Sequence, residues 1–375
     1  MAENKRRKLT SEQEQVLRRY KEDNNLEFRY SKDRRYRIED DLYTNLFSNM
    51  PEIPDGHKIS GKSTLYDQDG NKILQWVKTS EDREQRELII QSIIDGLNSK
   101  IEKAKPSEFS AADLLNSDII NQYTITDFHL GMMAWHEESG DDWDLKIGED
   151  MLISWFKQAI ETSPKAESCI FAQIGDFLHF DSLEAITPTS RHTLDSDTRF
   201  TKLVRTSIRV LRRITEMLLS KYKNIHIIFA EGNHDLASSV WLRESFSFYY
   251  EDEPRVTIDT SADPYYLYMF GSTFLGYSHG HLKKFGLLDT VFASKFKEQF
   301  GMSKNAYIHS GHLHHAEVKE TNLMIMEQHR TLAAKDSYAS RGGWLSGRDA
   351  KVISYHKEYG EVARLTINSD ILKRK

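Results

Sequence analysis

Five short apolar runs in this chain end the same way, on small or polar residues of the types that bind cations. Tyr123 to Thr126 enters Asp127-Phe128-His129, and Cys169 to Ile174 enters Gly175-Asp176. Ile227 to Ala230 enters Glu231-Gly232-Asn233-His234-Asp235, Phe274 to Tyr277 enters Ser278-His279, and Ala306 to His309 enters Ser310-Gly311-His312-Leu313-His314. Runs this short, bounded by polar residues and glycine, suit buried strands better than helices. In open α/β sheets, ligands bind at the carboxyl ends of strands. The chain is thereby directed to an α/β fold whose strand ends present carboxylates, an amide and imidazoles. Gly232 is expected to provide a sharp exit from its strand.

The segments between these runs support an α/β alternation. Met151 to Ile160 reads as an amphipathic helix, and Thr201 to Lys221 as a longer one with Val204, Ile208, Leu211, Ile214 and Leu218 on one face. The tail alternates like strands over Lys351 to Tyr355 and Val362 to Ile367, across a turn at Gly360. Upstream, residues 1–50 read as a basic, mostly helical arm or small module, with Val16, Leu17 and Tyr20 as a thin apolar stripe. Residues 51–79 read as a β-hairpin turning over Asp67-Gln68-Asp69-Gly70-Asn71. Residues 80–110 are expected to form a connector helix and linker. Ser80 would cap that helix, Glu81 and Asp82 would lie in its first turn, and Ile90, Ile93, Ile94, Leu97 and Ile101 would form its apolar face. The linker follows around Pro106, and residues 111–375 are expected to form the main α/β domain.

Two patterns in the hairpin region are set aside on context. Gly56-His57-Lys58-Ile59-Ser60-Gly61-Lys62-Ser63 has phosphate-loop spacing, but such a loop works only between a buried strand and a helix amino end. Here Pro51 and Pro54 precede it and an Asp-Gly turn follows. Asp67-Gln68-Asp69-Gly70 opens like a calcium loop, yet Lys78 stands where the closing glutamate belongs.

Composition narrows the setting. Of the 375 residues, 39% are hydrophobic and 29% charged, and no apolar run is long enough to cross a bilayer. The start lacks an apolar signal region and Cys169 is the single cysteine, so a reducing cytoplasm is expected, with Cys169 as a small core residue. Net charge is -6, but Met1 to Ile38 carries 12 Lys or Arg against 7 Asp or Glu. A basic arm on an acidic body suits contact with nucleic acid, and a solvated mixed-charge face accounts for it equally well.

Carboxylates and imidazoles together suit borderline divalent ions such as manganese, iron or zinc, and the absence of thiolates excludes a zinc-finger type of site. The spacings Asp127-x-His129 and His312-x-His314 let two side chains of one turning segment converge.

In these motifs the chain resembles the calcineurin-like metallophosphoesterase superfamily, whose Asp-x-His, Gly-Asp, Gly-Asn-His-Asp/Glu, His and Gly-His-x-His motifs all occur here in family order. The resemblance covers roughly Tyr123 to Val318. It implies an α/β/β/α sandwich of two packed mixed sheets, preceded by the small helical and hairpin module. It also implies that Asp127, His129 and His314 hold a first metal and Asn233, His279 and His312 a second, with Asp176 bridging. His234 would face the substrate phosphate as the catalytic group, oriented by a carboxylate such as Asp235, and a metal-bridging hydroxide would attack in line. Two divalent ions are implied, manganese first, with iron, zinc or nickel as alternatives. His179, His281 and His315 stand near these positions as candidates for supporting or substrate contacts. The insertion Asp181 to Phe200 is expected to hang over the metals, with Arg191 and Arg199 gripping phosphate oxygens.

The Thr-Asp-x-His-Leu-Gly motif is similar to that of the DNA-repair nuclease branch, and the insertion and hairpin look like those of bacteriophage and prophage members. A phosphodiesterase acting on nucleic acid is the leading expectation, in the host cytoplasm if phage-encoded. The alternatives are a phosphomonoesterase or small-nucleotide phosphodiesterase, and a DNA-binding scaffold with an idle site. No membrane partner is expected, and the oligomeric state is open, a dimer included.

Overall fold

In the computed structural model the described residues are 4–9, 11–23, 26, 35–39, 57–66, 72–81, 91, 104, 115–188, 193–343 and 345–372. The chain divides into two compact units, Met1–Arg86 and Glu87–Lys375.

In the first unit, strand β1 (Asn4–Lys8) precedes helix α1 (Ser11–Asp23) and pairs antiparallel with β2 (Arg35–Glu39). Leu9, Leu17, Tyr36 and Ile38 are buried. The arm, expected to be mostly helical, thus carries two basic strands, because Tyr36 and Ile38 alternate with arginines at the period of two that a half-buried strand requires. β3 (His57–Tyr66) and β4 (Lys72–Glu81) form a two-stranded antiparallel hairpin. Ser80 and Glu81, expected to open a helix, instead complete β4, paired with Lys58 and His57; the long strand β3 offers ladder partners that reach this far. The apolar positions from Ile90 to Ile101 lie outside the described residues.

The second unit opens with β5 (Ile119–Ile125), α2 (His136–Ser139) and α3 (Leu145–Thr162), then β6 (Ser168–Ile174), α4 (Phe200–Leu219), β7 (Asn224–Ala230), α5 (Leu236–Tyr249) and β8 (Val256–Ile258). β9 (Tyr266–Phe270), β10 (Thr273–Tyr277), α6 (Leu288–Lys295), α7 (Lys297–Met302), β11 (Asn305–Ser310), β12 (Glu317–Glu320) and β13 (Ile325–Gln328) follow. The chain ends through α8 (Ser337–Arg341), β14 (Asp349–His356), β15 (Gly360–Asn368) and α9 (Ser369–Leu372). One mixed sheet has the order β15-β14-β5-β6-β7-β8, with β5 to β8 parallel. The other has the order β12-β13-β11-β10-β9, with β13, β11 and β10 parallel.

Side-chain alternation along the strands builds the layers. In β6, Cys169 and Phe171 join the helices α3, α4 and α5 in one core, while Ile170, Ala172 and Ile174 meet Tyr266, Leu275 and Tyr277 of the second sheet in another. Both faces are covered, so the strand reads as a continuous apolar run. A third core packs Phe274, Ile308 and Met326 under Leu288 and Phe292 of α6. The result is a four-layer α/β/β/α sandwich. Tyr277 donates to Gln122 across the two sheets at 2.8 Å, which satisfies a buried amide and joins β10 to β5. The amphipathic face of α4 holds as expected, with Val204, Ile208, Leu211, Ile214 and Leu218 all buried.

Candidate metal centre

All five motif loops leave the carboxyl ends of parallel strands, three from the first sheet and two from the second. Parallel strands carry their carboxyl ends on one edge, so two sheets packed face to face present all five loops there together.

The backbone at these loops is unusual. Among the described residues, the non-glycine positions with left-handed φ are Asp127 (50°), His129 (46°), Asp176 (52°), His312 (75°) and His314 (55°). Each such position costs on the order of 1–3 kcal/mol and persists only where surroundings hold it. The strain falls on the polar residues that converge.

Asp127, His129 and His314 have donor atoms within 4.8 Å of one another, as do Asp176, His279 and His312. His314 Nε2 lies 3.2 Å from Asp127 Oδ1 and 3.3 Å from His129 Nε2. His279 Nε2 lies 3.1 Å from Asp176 Oδ2, 3.2 Å from Asn233 Oδ1 and 3.9 Å from Asp127 Oδ1. The two groups are contiguous, and Asn233 belongs with the second.

Their supporting hydrogen bonds leave one donor atom of each residue for the middle. Asp127 Oδ2 accepts from the Thr126 hydroxyl at 2.6 Å and the His312 amide at 2.8 Å, while the buried Oδ1 has no hydrogen-bond partner. The His279 Nδ1–H donates to the Ile174 carbonyl at 2.9 Å, which leaves Nε2 as the free lone pair. Asp176 Oδ1 accepts from the His234 amide at 2.8 Å and Oδ2 faces His279. An orphaned carboxylate oxygen, fixed imidazole tautomers and an oxygen-and-nitrogen donor set together fit divalent cations.

Electrostatics agree. Burial alone would raise Asp127 and Asp176, but the neighbouring imidazoles, His314 and His279 chief among them, hold both carboxyls well below the usual range. Burial would lower His279, yet Asp176 and Asp127 outweigh it and hold its pKa up to about 10. Two buried carboxylates thus demand positive charge here, which a proton on His279 supplies and cations would supply better. Burial lowers His129, and it lowers His179 to about 3 and His281 to about 4.

The turn at Gly232 is organised by Asp235. Its buried carboxylate accepts from four amides: Asp176 (3.2 Å) and Gly232 (3.0 Å) on Oδ1, Phe177 (2.7 Å) and Leu178 (3.1 Å) on Oδ2. Burial, then Asp176 and Asp181, push its pKa up to about 8, against the amides that favour the charged form. Asp235 therefore clamps the β6 and β7 loops together and makes no hydrogen bond to the His234 ring. That ring is oriented instead by the His179 carbonyl, which accepts its Nδ1–H at 2.9 Å. Gly232 is not among the glycines with positive φ. A Cβ there would collide with Asp176 Oδ1 and the Asp176 amide nitrogen, so the glycine is needed for close approach rather than for a sharp exit.

A cavity of about 420 Å³ opens from His129, Asp176, Asn233, His234, His312 and His314. His179 and His315 line it too, whereas His281 does not. His281 sits beside the centre, its ring 5.3 Å from that of His279. The wall opposite was not anticipated: it comes from Thr331, Ala333 to Asp336, Ala339 and Ser346 to Arg348. The insertion Asp181 to Phe200, expected over the metals, contributes none of its described residues to this lining. It is tied elsewhere. Asp181 caps α5 by accepting from the Ala237 and Ser238 amides at 2.6 and 2.9 Å, and Asp197 accepts from the Leu145 amide at 2.9 Å. Arg199 precedes α4 outside the cavity, and Arg191 lies outside the described residues. Thr126, Thr331 and Asp181 escaped sequence reading because hydroxyls and a lone aspartate carry no spacing signal; Thr331 Oγ1 donates to the Asp127 carbonyl at 2.6 Å.

No protein-family model matches the chain, and no curated protein matches it in sequence. Among solved structures it is similar to a Streptococcus pneumoniae protein described as a predicted phosphoesterase, at 11% identity and TM-score 0.32 over 67% of this chain and 91% of that one. An archaeal phosphodiesterase aligns at 16% identity and TM-score 0.33, over 66% of this chain and 99% of that one. Vps29 from Entamoeba histolytica, in complex with zinc, aligns at 10% identity and TM-score 0.29, over 66% and 99%. In the order of its motifs, and in their convergence at one edge of two facing sheets, the chain is similar to the calcineurin-like metallophosphoesterase superfamily.

Proposed function

We propose that the protein is a metal-dependent phosphoesterase that hydrolyses phosphodiester bonds, with nucleic acid as its substrate. The observation that carries this is the convergence of seven donor residues from five loops, five of them held in left-handed backbone conformations. Asp127, His129 and His314 would hold one divalent ion and Asn233, His279 and His312 a second, with Asp176 between them. When bound, such a pair neutralises charge on the phosphoryl oxygens and lowers the pKa of a water. The donor set of oxygen and nitrogen without thiolate suits manganese, with iron, zinc and nickel as alternatives.

The chain's own residues do the rest. With His234 Nδ1–H held by the His179 carbonyl, Nε2 is the atom left for the substrate, and in the imidazolium form its N–H would donate to a phosphoryl oxygen or give its proton to the departing one, leaving the neutral ring. Asp176 Oδ1 holds the His234 amide, so ring and centre keep one spacing. The Asp235 clamp fixes both loops.

Nucleic acid as partner is supported by the first unit. The backbone register of β1 and β2 sets Arg6 opposite Arg37 and Lys8 opposite Arg35. Met1 to Ile38 carries 12 Lys or Arg against 7 Asp or Glu, a basic balance that suits a polyanion. A second reading, a phosphomonoesterase or small-nucleotide phosphodiesterase, is favoured by the cavity, whose volume is that of a small-ligand site.

A manganese-supplemented assay on single-stranded DNA, duplex DNA, bis-p-nitrophenyl phosphate and p-nitrophenyl phosphate separates the readings. Cleavage of DNA and the diester supports the first; turnover of the monoester alone establishes the second.

A further inference from the structure

The wall of the cavity formed by residues on either side of α8 is a built structure. Arg330 NH1 meets Asp349 Oδ2 at 2.9 Å, closing the segment at its two ends. Arg348 donates twice to the Leu332 carbonyl, at 3.0 and 2.7 Å, and bonds Asp141 at 2.8 Å. At the tip, Arg341 pairs with Glu138 at 2.7 Å and the Ser340 hydroxyl donates to the Glu138 carbonyl at 2.9 Å, so α8 docks on α2.

Nearly every polar side chain that this segment turns to the cavity is therefore already engaged. Thr331 is bonded to the Asp127 carbonyl, Asp336 accepts from the Ala339 amide at 2.7 Å, and Arg348 is held as above. Among the described residues Lys335 and Ser346 are the exceptions, and Lys335 is the charged one. Lys335 lines the cavity, is half-buried, and makes no hydrogen bond or ion pair among the described residues. Ala333, Ala334 and Ala339, which line the cavity with it, are small.

An ammonium held against a walled cavity, with no counter-charge of its own, suits an anion brought by the ligand. We infer that Lys335 is a specificity-determining residue that binds a second phosphate of the substrate, beyond the one undergoing hydrolysis. The inference rests on the phosphoesterase reading. It selects phosphate esters carrying two phosphates over those carrying one.

The test uses two chromogenic diesters with the same leaving group, thymidine 5′-(p-nitrophenyl phosphate) and its 3′-phosphorylated counterpart, on the full chain with manganese. The wild type should prefer the doubly phosphorylated probe. Lys335→Ala should raise its KM about tenfold, the worth of one charge-assisted hydrogen bond, with kcat within about twofold. The singly phosphorylated probe should be unaffected, and Lys335→Arg should keep the preference. Equal losses on both probes, no loss on either, or a wild type without preference would overturn the inference. If the wild type hydrolyses neither, the phosphoesterase reading has failed, and calorimetric binding of thymidine 3′,5′-bisphosphate against thymidine 5′-monophosphate decides separately. Tighter bisphosphate binding that Lys335→Ala abolishes sustains the role of Lys335, and equal binding rejects it.

Discussion

At the scale of single residues, the turn Gly232-Asn233-His234-Asp235 divides four tasks among neighbours. Gly232 makes room for Asp176, Asn233 Oδ1 faces His279, His234 looks into the cavity, and Asp235 clamps four amides. His234→Ala should therefore keep its metal content while kcat falls by about 10²–10⁴, the range for loss of a positioned proton donor. Asp176→Ala should lose metal, because it removes the carboxylate proposed to stand between the two ions. Metal analysis beside kinetics checks both, and the reverse pattern would exchange their roles. Asn233 and His234 were nameable from motif alone. That Asp235 serves the backbone of Phe177 and Leu178 was not, since those amides lie far away in sequence.

Among elements, the short loops carry function and the strands and helices position them. Asp235 joins the β6 loop to the β7 loop and Asp181 caps α5, so hydrogen bonds tie the two loops and that helix together. Asp235→Asn replaces an acceptor oxygen by a donor facing amides. It should destabilise by about 3 kcal/mol, seen as a lowered melting temperature, with activity falling alongside. A variant of unchanged stability would mean that these amide bonds are weaker than their geometry indicates. Strands ending in metal-type residues were most legible in β6 and β7, where burial on both faces makes the stretches Cys169–Ala172 and Ile227–Ala230 apolar throughout. The cavity wall at 331–336 was not legible: Leu332-Ala333-Ala334-Lys335 has neither strand nor helix period, and only its closure by Arg330 and Arg348 shapes it.

Across the whole molecule, the two sheets are locked by a charged network at β11, β13, β14 and β15. Glu327 Oε1 accepts from Lys351 and Arg364, each at 2.6 Å, while His309 bonds His329 at 2.8 Å and Tyr355 at 2.9 Å. Burial would raise Glu327, but His329 beside it and the Arg364 and Lys351 cations bonded to it outweigh burial and hold the carboxyl below its ordinary 4.5; burial keeps His329 itself down at about 4, so at neutral pH the two cations carry the effect. A carboxyl depressed in the folded state contributes stability that is present above about pH 4.5 and lost as the pH falls through the folded value. Glu327→Gln should accordingly lower stability by about 3 kcal/mol at pH 7, with a gap to wild type that narrows in acid, as denaturation at several pH values would show. At the same scale, deletion of residues 1–38 should weaken DNA affinity and flatten its salt dependence. Binding isotherms across salt concentration check this, and unchanged binding would remove the arm from the interface.

The sequence by itself determined which residues meet and on what kind of element. Local apolar period, written within a few residues, pointed to an α/β fold, and the resemblance carried by the five motifs implied the α/β/β/α sandwich and the meeting of Asp127, His129, Asp176, Asn233, His279, His312 and His314. The tertiary structure alone decided how those residues are held and what faces them. Left-handed backbone at five positions, the Asp235 clamp, the place of the Asp181–Phe200 insertion and the cavity wall bearing Lys335 all depend on contacts between distant segments. Such contacts leave no periodic trace along a chain, because they are set by which side chains the packed sheets leave room for.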